Sequence, residues 1–158
     1  MKRQFILILI LALGAGLNAL KAQEVFNMVM ESATRVVNNP TSNYTATRIA
    51  QFKRTALTYM RNKAFEQSDS VSTEFLDRQA LSLSEFTDLF FKELLSHQGN
   101  ERKECIVKFI KATDDNPMWH DTDRATADAY LGQGELTPFS LDTDWEKAYG
   151  QVVADKKE

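Results

Sequence analysis

The sequence predicts an all-α fold, an irregular bundle of about six to seven helices behind a cleaved N-terminal signal peptide. Three observations carry this. Beyond residue 23, apolar side chains recur at spacings of three and four, and no convincing run alternates with the period of two that marks a strand. The helical runs are separated by clear stops at Asn38-Asn39-Pro40, Gly99 and Asp114-Asp115-Asn116-Pro117. The chain begins with Lys2 and Arg3, then the apolar run Phe5–Leu13, then Gly14, Ala15 and Gly16. That order of charge, apolar stretch and small residues belongs to a secretory signal.

A membrane anchor is the alternative for the first segment. A spanning helix needs roughly 20 apolar residues, and Asn18 and Lys21 close the run before that length. Ala22 is the preferred cleavage point and Ala19 the second. No cysteine lies near either, so a lipid-anchored form is not expected. Cleavage after Ala22 leaves residues 23–158 as a single all-α domain.

Each helix is justified by its own spacing. Val25, Met28, Val29, Ala33, Val36 and Val37 predict the first, ended by Asn38-Asn39-Pro40. Ser42 is placed to cap the second, whose inner face is Ile49, Phe52, Ala56, Leu57, Met60 and Ala64. Lys53, Arg54, Arg61 and Lys63 give that helix a basic outer surface. Ser82 and Glu85 have capping-box spacing, and Leu81 and Phe86 occupy the positions of a hydrophobic staple. A break is therefore expected there, between a short helix near 72–80 and another near 83–97 with Phe86, Leu89, Phe90, Leu94 and Leu95 inward. Gly99 closes it in the left-handed conformation. A further helix runs near 101–113. Two short helices follow, near 123–131 and 143–154, joined by the glycine- and proline-bearing loop 132–140, whose Leu136 and Phe139, with the adjoining Leu141, are expected to dock on the bundle.

Charge and cysteine usage exclude several functions. The full chain has 19 basic and 22 acidic side chains; removing residues 1–22 takes away Lys2, Arg3 and Lys21 and leaves a net charge of −6. An acidic surface does not suit a nucleic-acid partner or an anionic lipid surface. Cys105 is the single cysteine, so no intramolecular disulfide forms. Within Cys105-Ile106-Val107-Lys108-Phe109-Ile110 it reads as a small buried apolar residue. A catalytic thiol would need His97 or His120 as its base and an electropositive setting.

A doubled motif raises the question of metal binding. Asp121-Thr122-Asp123 and Asp142-Thr143-Asp144 each have an alanine four residues after the second aspartate. An EF-hand loop demands glycine at its sixth position and a bidentate glutamate at its twelfth. From Asp121 these are Thr126 and Gly132; from Asp142 they are Lys147 and Val153. Both fail, and helix starts are the preferred reading. Thr143 and Glu146 have capping-box spacing, and the aspartates complement the positive end of a helix. Trp119 and His120, beside Pro117, are candidates for a small binding groove, against the alternative that Trp119 plugs the end of the bundle. No zinc spacing, phosphate-binding glycine loop or nucleophile elbow is present.

Gln51-Phe52-Lys53, Ala56-Leu57, Tyr59, Lys63, Phe75-Leu76-Asp77-Arg78-Gln79-Ala80, Glu85-Phe86 and the stretch Phe139–Trp145 resemble a pattern in small secreted proteins of gut-type Gram-negative bacteria, a domain of unknown function. The resemblance implies an exported all-α protein and supplies no catalytic residue. Asp69-Ser70-Val71 is similar to an O-glycosylation acceptor of such bacteria. The expected function is therefore a non-enzymatic binding protein of the periplasm or exterior, without a cofactor or bound metal. Its partner is expected to be a protein or other envelope component meeting Lys53, Arg54 and Arg61 or Trp119 and His120. A small hydrolase using acidic side chains or Cys105, and a weak surface metal binder, are the alternatives.

Overall fold

The computed structural model describes residues 24–67, 71–132 and 135–154. The expected signal segment and cleavage points, and most of Asp69-Ser70-Val71, lie outside those residues. The elements are α1 (Glu24–Asn38), α2 (Tyr44–Glu66), α3 (Thr73–Ser96), α4 (Gly99–Asp115), β1 (Thr126–Gly132), β2 (Glu135–Ser140) and α5 (Trp145–Ala154). The protein is mostly helical, as expected, but the described residues hold five helices and a two-stranded antiparallel sheet. No described helix is long and apolar enough to cross a membrane.

α1 stops where Pro40 forbids another turn. Its buried residues are Phe26 and Ala33, while Met28 is 56 % exposed, so the helix is rotated from the face its valines suggested. Asp77 Oδ1 accepts the Phe26 amide at 2.8 Å and ties the start of α1 to α3. The cap of α2 is Asn43, whose Oδ1 accepts the Ala46 amide at 2.8 Å. Ser42 instead donates its hydroxyl to the Val36 carbonyl at 2.9 Å and closes the preceding helix. Both roles satisfy groups that helix ends leave orphaned. The inner face expected for α2 holds: Phe52, Ala56, Leu57 and Met60 are buried, with Ile49 and Ala64 packed beside them.

The break expected at Ser82 does not occur. α3 runs unbroken through Leu81-Ser82-Leu83-Ser84 from its cap at Ser72, whose Oγ accepts the Phe75 amide at 3.1 Å. Leu76, Ala80, Leu83, Phe86, Phe90 and Leu94 form one buried stripe across the expected break, all but Leu76 at 0 % exposure. Interrupting that stripe would expose several large side chains, each contributing about 1.5–3 kcal/mol by burial, against about 1 kcal/mol for a cap. Leu95, expected inward, is exposed. Gly99 does adopt the left-handed conformation, with φ of 56°, but at the first residue of α4.

The larger correction is the hairpin, which replaces the helix expected at 123–131 and the loop at 132–140. Thr126 pairs with Ser140, Ala127 with Phe139 and Asp128 with Pro138; after an irregularity, Leu131 pairs with Leu136 and Gly132 with Glu135. Ala125, Ala127 and Ala129 recur at the period of two that marks a strand, but in residues too small to make the alternation stand out. In the sequence, glycines stand at 132 and 134, a chemistry suited to reversing the chain. Phe139 (0 % exposed) and Leu141 dock in the core as expected, and Leu136 stays exposed.

β1 packs on α2 and β2 on α4, so the hairpin closes the open side of the helices. Phe139 delivers the strand into the core: its ring meets Phe52, Phe86 and Phe90 edge-on at centroid distances of 5.5, 5.4 and 5.1 Å. Trp145, at the start of α5, meets Phe52 at 5.9 Å and Phe86 at 5.5 Å. Edge-to-face pairs of this kind add about 0.5–1.5 kcal/mol each beyond their burial. Residues from α2, α3, β2 and α5 thus share one cluster, and its outer wall on the α2–β1 side shapes the principal groove.

Candidate functional site

A groove of ≈ 680 Å³ runs between α2 and β1, with Val37 of α1 also in its lining. Its floor is apolar, from Phe52, Ala127 and Leu141. Its walls are Arg48, Gln51, Arg54, Thr55, Thr58, Tyr59 and Asn62 of α2, with Asp128 facing them from β1. The helix supplies these polar groups because Arg48, Gln51, Thr55, Thr58 and Asn62 follow one another at spacings of three and four, a single stripe beside the buried face. A pocket with an apolar floor and a few converging polar groups is the usual form of a small-ligand site.

Donors dominate this wall. Arg48 and Arg54 form no ion pair among the described residues. Arg48 Nη1 donates to Gln51 Oε1 at 3.1 Å, and its Nε is enclosed without an acceptor among the described residues. Thr55 spends its hydroxyl proton on the Gln51 carbonyl at 3.0 Å and keeps lone pairs for an incoming donor. The Thr58 hydroxyl and Asn62 amide make no hydrogen bond among the described residues. Asp128 is the one carboxylate in the lining.

Tyr59 is held in place from behind. Its hydroxyl donates to Asp121 Oδ2 at 2.7 Å, and Lys63 Nζ lies 2.8 Å from the same oxygen and 3.2 Å from Glu66. Burial, then the bond to Asp121 and the charges of Asp142, Asp121 and Glu66, push the phenol well above its ordinary value. Lys63 and Tyr59 hold the Asp121 carboxyl below the usual carboxylate range, and Asp121 and Glu66 raise Lys63 in turn. Tyr59 therefore stays protonated as a positioned donor and is ill suited to accept or release a proton near neutrality.

The sequence-predicted residues are dispersed. Arg54 lines the main groove. Arg61 lines a smaller depression of ≈ 390 Å³ with Asn62, Phe65 and Glu66. Lys53 leaves the expected outer surface: its Nζ bonds Asp88 at 2.9 Å and Ser84 at 3.0 Å on α3, and it borders a third, apolar concavity between α1 and α2. Trp119 is half-buried and His120 exposed, and neither lines the three concavities. The residues missed were Arg48, Gln51, Thr55, Thr58 and Asn62. Their stripe was visible at helical spacing, but only β1 turns it into a wall.

The 118–121 loop has a structural task. Asp142 (5 % exposed) accepts the amides of Met118 at 3.1 Å, Trp119 at 2.6 Å and Asp121 at 2.8 Å. His120 has φ of 53°, and this left-handed residue lets the neighbouring amides converge on one carboxylate. The two Asp-Thr-Asp motifs thus meet, yet only one begins a helix. Asp144 caps α5, accepting the Lys147 amide at 3.2 Å, while Thr143 donates inward to the Ser140 carbonyl at 2.6 Å. Asp121-Thr122-Asp123 precedes β1 and caps nothing helical.

Cys105 is buried on α4, with its Sγ 4.0 Å from Glu93 Oε2, which also pairs with Lys108 at 2.9 Å. Among the described residues, no group of three or more histidine, cysteine or acidic side chains is arranged to hold a metal ion. Comparison of the chain with family models, curated proteins and solved structures returns no match.

Proposed function

We propose that the protein is an exported, non-enzymatic binding protein whose groove between α2 and β1 holds an anionic, hydrogen-bonding ligand. Export rests on the charge, apolar run and small residues at the start of the chain. Binding rests on one observation above the rest: Arg48 and Arg54 line a groove without an acidic partner among the described residues, beside the free Thr58 hydroxyl and Asn62 amide. Guanidinium groups present paired donors that match a carboxylate, and they bind it more specifically than an ammonium does. Acid–base catalysis uses at least one group poised to exchange a proton with its substrate. In this lining the ionisable candidates are Asp128 alone and a Tyr59 that holds its proton. That composition supports capture over turnover.

The test is a titration of the labelled protein with citrate, followed by amide NMR. The expected result is movement of the Gln51, Thr55, Thr58 and Ala127 amides, reduced in Arg48→Ala and lost in Arg54→Glu. Citrate that moves no amide of the groove, or moves them equally in both variants, would overturn the reading.

A further inference from the structure

We infer that the ligand of this groove is a linear polysaccharide bearing carboxylates, laid along α2; the inference rests on the anion-binding reading above and adds the identity and length of what is bound. The main groove and the smaller depression at Arg61 and Phe65 both have Asn62 in their lining, so they adjoin along α2 and together offer a track along the helix. From Arg48 to Phe65 the helix advances 17 residues, which at 1.5 Å per residue is roughly 26 Å. A small anion would occupy one end of such a track. A chain molecule would fill it.

Three features identify the chain. Arg54 and Arg61 lie seven residues apart on the same border of the stripe, about 10 Å along the axis, with Arg48 at the far end. None of the three has an acidic partner among the described residues, so cations recur along the track and outnumber its two acids, Asp128 and Glu66, of which Glu66 pairs with Lys63. Between them stand Gln51, Thr55, Thr58 and Asn62, amide and hydroxyl groups suited to a ligand rich in hydroxyls. At the end stands Phe65, 86 % exposed. An aromatic face is electron-rich and attracts the polarised C–H face of a sugar ring, which gives an otherwise unfavourable exposed ring a purpose. An acidic peptide would call for apolar side-chain pockets and a strand edge or helix groove to receive its backbone.

Calorimetric titration and affinity electrophoresis with polygalacturonate test this, with neutral dextran, polyglutamate and single-stranded DNA as controls. The expected result is binding of polygalacturonate with affinity rising from its trimer to its hexamer, and no comparable binding of the controls. Phe65→Ala is expected to weaken the hexamer roughly tenfold, about the effect of one lost stacking contact, and to leave the citrate response unchanged. Phe65 is exposed, so this variant folds as the parent does. Arg61→Glu is expected to act in the same direction, and Arg54→Glu to abolish both responses. Equal affinity for trimer and hexamer, equal binding of a control polymer, or a Phe65→Ala variant identical to the parent would each overturn the inference. If citrate binds in the groove and polygalacturonate does not, the polysaccharide inference fails and the anion-binding reading stands; if neither binds, both fail.

Discussion

Asp142 shows how a single side chain is decided by what surrounds it. As a sequence element it stands immediately before the helix expected at 143–154 and reads as a dipole partner. In the fold it is sealed from water and gathers three amides of the 118–121 loop. Bonds from neutral donors to a buried charge are worth about 1.5–3 kcal/mol, and truncation leaves the donors without a partner. Asp142→Ala is therefore expected to cost about 3 kcal/mol in urea unfolding, and Asp142→Asn markedly less, since the amide keeps one acceptor. A loss near zero in Asp142→Ala would show that the loop is not held this way. Gln79 is a comparable case. It is fully buried, donates to Asp144 Oδ1 at 2.8 Å, and accepts the Trp145 amide at 2.7 Å. Neither role is visible in the sequence, because both partners lie more than 60 positions away.

At the scale of elements, α3 and the hairpin teach opposite lessons about local signals. Ser82 and Glu85 form a genuine capping pattern, and the tertiary core overrides it, because a stripe from Leu76 to Leu94 must stay in register with the other helices. A cap at Ser82 would make Ser82→Ala cost about 1 kcal/mol. In the continuous helix, alanine is the better former, and Ser82→Ala is expected to stabilise by a few tenths of a kcal/mol. Thermal denaturation of the variant distinguishes the two signs. At the hairpin the local signal was present and misassigned. Alternating alanines and the glycines around the turn fit a strand pair, yet small residues carry little periodicity to separate a strand from a helix. Phe139 decides the matter: only an extended segment places that ring against Phe52, Phe86 and Phe90 while pairing Ala127.

For the whole molecule, the aromatic cluster joins helices and hairpin into one cooperative unit. Phe139→Ala is expected to lower stability by about 3–5 kcal/mol, and to do so in a single transition when followed by both far- and near-ultraviolet circular dichroism. Separate transitions would show that the hairpin is an accessory. Acid unfolding has a sign set by the depressed carboxylates. For Asp144, burial alone would raise the folded value, but bonds from Gln79 and Lys147 outweigh it and the net shift is downward; Asp121 is lowered chiefly by Lys63. The unfolded chain then binds protons before the folded one, so their contribution is complete above the ordinary aspartate value of about 3.9 and is lost as pH falls through the folded values. Asp144→Asn is expected to reduce stability at neutral pH and to flatten its decline on acidification. An unchanged slope would remove Asp144 from the account.

What the sequence by itself determined was local. It set where α1 stops, the inner face of α2, the left-handed conformation of Gly99, the docking of Phe139 and Leu141, and the burial of Cys105. Those outcomes depend on spacing, chain stereochemistry and hydrophobicity, which operate over a few residues. The tertiary structure alone decided which side of α2 becomes a groove, why Lys53 turns to α3 while Arg54 and Arg61 remain available, and that Asp142 serves a loop. A wall needs a facing element, and an unpaired cation is defined by which distant acids fail to reach it.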